Sequence, residues 1–199
     1  MRIVILMEVF VTLEGLAGLD RQDVRVGEAY ELVRAEERHR VAGLKRIRRI
    51  ALGEIVSLVF ENRETIRATL EEALRTERID DPDRVAGEIA AFNAVVPGEG
   101  QLAAMLFIEV ADPADLNAAA TRLEGIERAV FIDIGGSRVR GVPEAVSPPG
   151  ESAPAHFLRF SLQPDQRSAM LQGAGVDHPN LAVSAQFDEE QRRAIAADL

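Results

Sequence analysis

The chain has 199 residues, a formal net charge of -10 and no cysteine. That length suits one domain, and the missing cysteine excludes thiolate zinc sites, iron–sulfur ligation and redox-thiol chemistry from its own side chains. The negative balance argues against nucleic-acid binding, which needs a positive footprint, and a cysteine-free chain fits a reducing, cytoplasmic setting.

Met1–Gly18 opens with Ile3-Val4-Ile5-Leu6-Met7, then Glu8. The apolar run is too short for a signal peptide or a membrane span, so residues 1–18 read as an N-terminal arm, or as the product of a misplaced start codon. Residues 19–199 form the α+β domain, with a mostly helical half over 19–100. Gly27–Ile50 reads as one long helix, with Tyr30, Val33, Val41, Leu44 and Ile47 near helical spacing. From Arg38 to Gly53 no acidic residue occurs, while Arg38, Arg40, Lys45, Arg46, Arg48 and Arg49 supply positive charge. Cations near a helix C-terminus complement its dipole. Codon bias also accounts for a surplus of arginine.

Ile55–Phe60 is a strand, and Asn62 is suited to cap the helix Arg63–Glu77. Asp80-Asp81-Pro82 caps a further helix over Asp83–Phe92. Ala103–Val110 is apolar at nearly every position, the mark of a strand covered on both faces. Asp112-Pro113 starts a helix over Ala114–Leu123, and Gly125 ends it. Ala129–Ile134 is the next strand, and Ser137–Ser152, with its prolines and glycines, is loop-like. Ala155–Leu162 is a strand, Gln166–Gln172 a helix, Leu181–Phe187 a strand, and Asp188 caps a last helix over Glu189–Asp198.

Counted from Ala103, the order is βαββαβ. That predicts a ferredoxin-like antiparallel sheet over about 103–187, with the N-terminal extension packed on it. Its open face would carry Met105, Phe107, Glu109, Phe131, Asp133, Phe157 and Arg159. A face that apolar calls for cover by the N-terminal elements or by a second subunit, hence a homodimer.

Several stretches carry a family likeness: LKRIRRIALGEIVSLVFENRETIR at Leu44–Arg67, then LRTERIDDP, AFNAVVPGEG, AHFLRF and VDHP. On these the chain resembles a bacterial family known only as domain of unknown function 3501, from roughly Leu19 to the C-terminus. The resemblance implies no reaction. It implies an association with rubrerythrin-like or iron–sulfur oxidoreductase partners.

Three groups of residues are candidates for chemistry. His156 and His178, with Asp177, would make a divalent-metal site if the fold gathers them. The alternatives are a buried, hydrogen-bonded His156 beside Leu158 and Phe160, and a His178 that fixes the Asp-His-Pro turn. Glu61, Asn62 and Arg63 stand where a strand hands over to a helix, a usual place for ligands, with Arg159 a possible further member. Against that, Asn62 can simply cap and Arg63 can pair with a carboxylate. The Arg38–Arg49 run, Arg49 included, would hold an anion, or would pair with Glu71, Glu72, Glu77, Asp80, Asp81 and Asp83. No Gly-Lys-Ser/Thr phosphate loop, G-x-S-x-G elbow or H-E-x-x-H is present. Two functions follow as expectations: a cofactor-free accessory or binding protein, or a small metal-dependent enzyme or ligand sensor. Neither nucleic acid nor membrane is expected as a partner.

Overall fold

A computed structural model describes residues 18–144 and 153–199, so the arm up to residue 17 and half of the Pro/Gly-rich loop lie outside the described residues. The fold is α+β, in two compact units. One comprises residues up to 44 with 62–99, and the other 45–61 with 100–199. The strand pair at 49–61 therefore belongs with the sheets rather than with the helices that flank it.

In the helical unit, α1 (Glu28–Glu31) and α2 (Arg34–Ile47) replace the single helix expected over 27–50. The chain turns at Leu32-Val33, and Arg49–Ala51 leaves helical geometry altogether to become strand β1. The cause is non-local. Ile50 is buried opposite Leu58, and that pairing outweighs the helical period of the basic run. Helix α3 (Arg63–Thr76) begins at Asn62, whose side chain accepts from the amides of Glu64 and Thr65 while Thr65 Oγ1 accepts from the Asn62 amide. Helix α4 (Pro82–Asn93) begins with Asp81 accepting from the Arg84 amide and Pro82 at the first position. Both starts agree with their sequence signatures. Asn93 closes the unit by accepting from the Leu19 amide at 2.7 Å and donating to the Leu19 carbonyl at 3.0 Å.

The sheet unit is a two-layer sandwich. The first sheet has the order β1-β2-β3-β7-β6, where β2 is Val56–Glu61, β3 is Gln101–Ile108, β6 is Val142–Pro143 and β7 is Ala155–Ser161. The second has the order β5-β4-β8-β9, where β4 is Val130–Ile134, β5 is Ser137–Arg140, β8 is Leu171–His178 and β9 is Leu181–Gln186. Every pairing is antiparallel. Leu58, Phe60, Leu106 and Leu158 on one sheet share a single core with Val130, Ile132, Ala174 and Val176 on the other. Leu123, at the exit of α5 (Leu116–Arg122), and Ile195 from α6 (Glu189–Ala196) complete that core.

The ferredoxin-like sheet is thus corrected. Ala103–Val110 and Ala155–Leu162 do share a sheet as antiparallel neighbours, as a split βαβ requires, but that sheet holds only these two of the four expected strands. The other two expected strands lie in the second sheet. The expected helix Gln166–Gln172 is a turn that gives way to β8, and two strands arise inside the stretch expected as loop. Glycine misled the reading at β8. A Cβ on Gly175 would stand 2.4 Å from Phe131 Cζ and 2.6 Å from the Val183 carbonyl oxygen, so this strand needs glycine to let the aromatic ring lie across it. Gly141 joins β5 to β6, which lets one run of chain pass from one sheet to the other. A Cβ there would meet the Phe160 ring at 3.0 Å.

Alternation along β3 and β7 places Met105, Phe107, Phe157 and Arg159 on one outward face of the first sheet, as predicted. Phe131 and Asp133 belong to the other sheet instead. Among the described residues, no helix is long and apolar enough to cross a membrane.

Candidate functional site

The three proposed metal ligands are not assembled. His156 lies on β7, paired with Leu106 and facing the sandwich core, 8 % exposed. Burial holds its imidazole below the usual histidine range, against an opposing pull from Glu127. His178 ends β8 in the other sheet. Its Nδ1 accepts from the Asn180 amide at 3.2 Å, so the ring proton sits on Nε2, which donates to the Glu124 carbonyl at 3.0 Å. Both ring nitrogens are therefore engaged, one within the turn and one across to the chain after α5. Asp177 pairs with Arg140 at 3.1 Å. Among the described residues, no three histidine or carboxylate side chains stand close enough to share a metal ion.

The strand-to-helix group divides in the same way. Asn62 caps α3, and Arg63 donates to Asp23 at 2.7 Å and to the Gly18 carbonyl at 3.2 Å. Arg49 pairs with Glu109, which also accepts from Ser57 Oγ at 2.8 Å. Desolvation pushes the Glu109 carboxyl up, but the bonds from Arg49 and Ser57 outweigh it and leave the group below its ordinary value. Arg159 pairs with Glu144 and donates to Gln101 Oε1 at 2.8 Å.

Glu61 differs from these. It ends β2 at 6 % exposure, opposite Ala103, and Ala103 is in turn opposite Arg159. Glu61 and Arg159 thus share a face, two strands apart, with only a methyl group between them in the row. Lys45, the one lysine in the chain, donates to Glu61 Oε1 at 2.9 Å. The second oxygen, Oε2, is buried and has no hydrogen-bond partner among the described residues. A carboxylate oxygen in that position can accept a hydrogen bond.

The basic run finds different partners from those expected. Arg40 reaches Glu37 and Glu64, Lys45 reaches Glu61, Arg48 reaches Asp198, and Arg49 reaches Glu109. Of the acidic residues named from sequence, Glu72 pairs with Arg34, just upstream of the run, and Glu71 pairs with Arg25 and Arg67.

Sequence reasoning missed the densest cluster of charge, which lies within the helical unit. Arg25, Arg40 and Arg67 converge on Glu37 at 3.0, 2.8 and 2.6 Å. Arg25 and Arg67 also hold Glu71, whose side chain is wholly buried, and Glu71 accepts from the Arg25 amide too. The Arg40 bond, helped by Arg25 and Arg67, outweighs desolvation and draws the Glu37 carboxyl down to about 2. The available signals were Arg67 and Glu71 at i, i+4 and Glu37 and Arg40 at i, i+3, each pair on one helix. Arg25 comes from a separate segment and left none. Tyr30, the only tyrosine, donates to Glu72 at 3.0 Å, and burial together with that carboxylate pushes its phenol up to about 12. Such clamps immobilise backbone.

A solved structure shares this architecture. It is a crystal structure at 1.90 Å of a protein of unknown function from Burkholderia pseudomallei, 32% identical, with a TM-score of 0.85 over 92% of this chain and 100% of that one. No curated protein matches the sequence. The family model for proteins of unknown function termed DUF3501 matches residues 18–199, a span that includes every described residue. The chain belongs to that family.

Proposed function

We propose that the protein is a non-catalytic, cytoplasmic binding protein that works beside a redox protein of rubrerythrin-like or iron–sulfur type. The observation that supports it is the commitment of the His178 ring: one nitrogen accepts within its own turn, the other donates to the distant Glu124 carbonyl, and the neighbouring Asp177 serves Arg140. Side chains spent on holding a fold are those of a scaffold. The redox partner follows from the family likeness alone. Titration calorimetry of the purified protein against a rubrerythrin-like protein and an iron–sulfur oxidoreductase tests it. A saturable complex with either, from a preparation free of metal, is the expected result. Stoichiometric divalent metal that disappears in His156→Ala and His178→Ala would refute it in favour of a metal-dependent enzyme.

A second reading, a sensor of a small ligand, is favoured by the buried, unpartnered Oε2 of Glu61. The missing donor would be an ammonium or hydroxyl group on a small molecule. Thermal shifts with amino acids and polyamines, present in the wild type and lost in Glu61→Gln, would establish it. Equal shifts in both proteins would end it.

A further inference from the structure

We infer that strand β9 is a homodimer interface, pairing antiparallel with β9 of a second copy to join the two outer sheets into one. The observation is an asymmetry in how this protein treats its sheet edges. Exposed edge strands offer unpaired amides and carbonyls, and native chains blunt them with charge, proline, brevity or cover. Three of the four edges here are blunted. Strand β1 has three residues, one of them Arg49, whose carbonyl is taken by the Gln191 side chain. Strand β6 has two and ends at Pro143. Strand β5 carries Arg138 and Arg140.

Strand β9 has none of these defences. It runs six residues in unbroken register with β8, without proline, charge or bulge. No strand pairs with its outer side among the described residues. The Phe187 amide donates inward to the Gln172 carbonyl, so Ala185, Val183 and Leu181 also point their backbone groups at β8. Ala182, Ser184 and Gln186 then present theirs to the open edge, and all three residues are exposed.

A second copy is the occupant that this edge suits. A two-fold axis through Ser184 sets Ala182 against the partner's Gln186 and Val183 against the partner's Ala185, with about six backbone hydrogen bonds across the seam. Small and uncharged side chains meet their like, with no clash and no unpaired charge. Neutrality matters in a chain of net charge -10, because two copies repel wherever acidic surface is opposed.

Sedimentation velocity on the full chain, from about 5 to about 200 µM, tests the inference, since a seam this small gives a concentration-dependent dimer. Ser184→Pro deletes an amide that points outward, so it costs the monomer no hydrogen bond. Ser184→Lys places two like charges on the axis. The expected result is a wild-type dimer whose dissociation constant rises at least tenfold in both variants, with circular dichroism unchanged. Should either variant unfold, the other still reads the seam. A wild type that stays monomeric across that range overturns the inference, as does a dimer that a folded variant leaves intact.

Discussion

Replacing Glu37 with Gln keeps the shape of the side chain and removes its charge from beneath three guanidinium groups. The wild-type carboxyl is held at about 2, against an ordinary 4.5. A shift of that size corresponds to about 3 kcal/mol of preference for the charged form in the folded state. Its side chain is only 10% exposed, so solvent screens little of this. Removing one partner of a buried ion cluster costs ~3–5 kcal/mol, and the partial exposure of Arg25 and Arg40 puts this case at the low end. Glu37→Gln should therefore destabilise the helical unit by about 3 kcal/mol at neutral pH. The chain supplies its own reporter. Tyr30 is the only tyrosine, there is no tryptophan, and Tyr30 lies in that unit. Urea titration followed by tyrosine fluorescence thus reads the unit directly. The sign of the pH dependence gives a second check. A depressed folded pKa contributes stability that is present above about 4.5 and lost as pH falls toward about 2. The wild type should show that acid limb and Glu37→Gln should lack it. The exposed pair Arg193–Glu189 is the control, and Glu189→Gln should leave the midpoint unmoved. A loss in Glu37→Gln below about 0.5 kcal/mol, or an acid limb that survives the substitution, would refute the view that this cluster holds the unit together.

Tyr30 should resist ionisation until about pH 12 in the folded protein, and absorbance at the phenolate band should show one late transition. Stability tied to that phenol is full below pH 10 and falls as pH rises toward 12, so Tyr30→Phe should flatten the alkaline limb. His156 works in the opposite direction. Its lowered pKa means that the unfolded chain takes up the proton first, so stability present above pH 6.5 declines as pH falls below it. His156→Leu should abolish that decline in denaturation followed by far-ultraviolet circular dichroism. Arg48 donates to the Ala194 carbonyl and to Asp198, so Arg48→Met should free α6 and cost about 3 kcal/mol, seen as faster amide exchange in 189–199. Gly175→Ala should cost at least about 1–3 kcal/mol by driving a methyl into the Phe131 ring, and unchanged chemical shifts at that ring would count against the packing described.

Local signals were the legible ones. Asn62, Asp81-Pro82, Asp112-Pro113 and Asp188 all begin helices or helical turns where their side chains said they would. Continuous apolar runs marked β2, β3 and β4, because a strand buried on both faces has no other composition. Strands whose identity rests on distant partners were not legible. Arg49-Ile50-Ala51 carries a helical period and becomes a strand only because Ser57–Val59 lies beside it. The Leu171–His178 strand hides behind two glycines that a ring and a carbonyl demand from elsewhere in the chain. Nothing in a strand's own residues says which of two sheets it will join, and the division into two layers was lost for that reason. The candidate residues met the same limit. Proximity in sequence correctly gave Asn62 its cap, but it could not separate His156 from His178, which the topology sends to different sheets.

The glycine corner at 141 has a mechanical consequence. The Gly141 amide donates to the Val130 carbonyl in one layer, and three residues later the Glu144 amide donates to the Phe157 carbonyl in the other. One thread of backbone is stitched through both plies of the fabric. The layers cannot be peeled apart without tearing that seam, so pulling force applied to either should be felt by both at once.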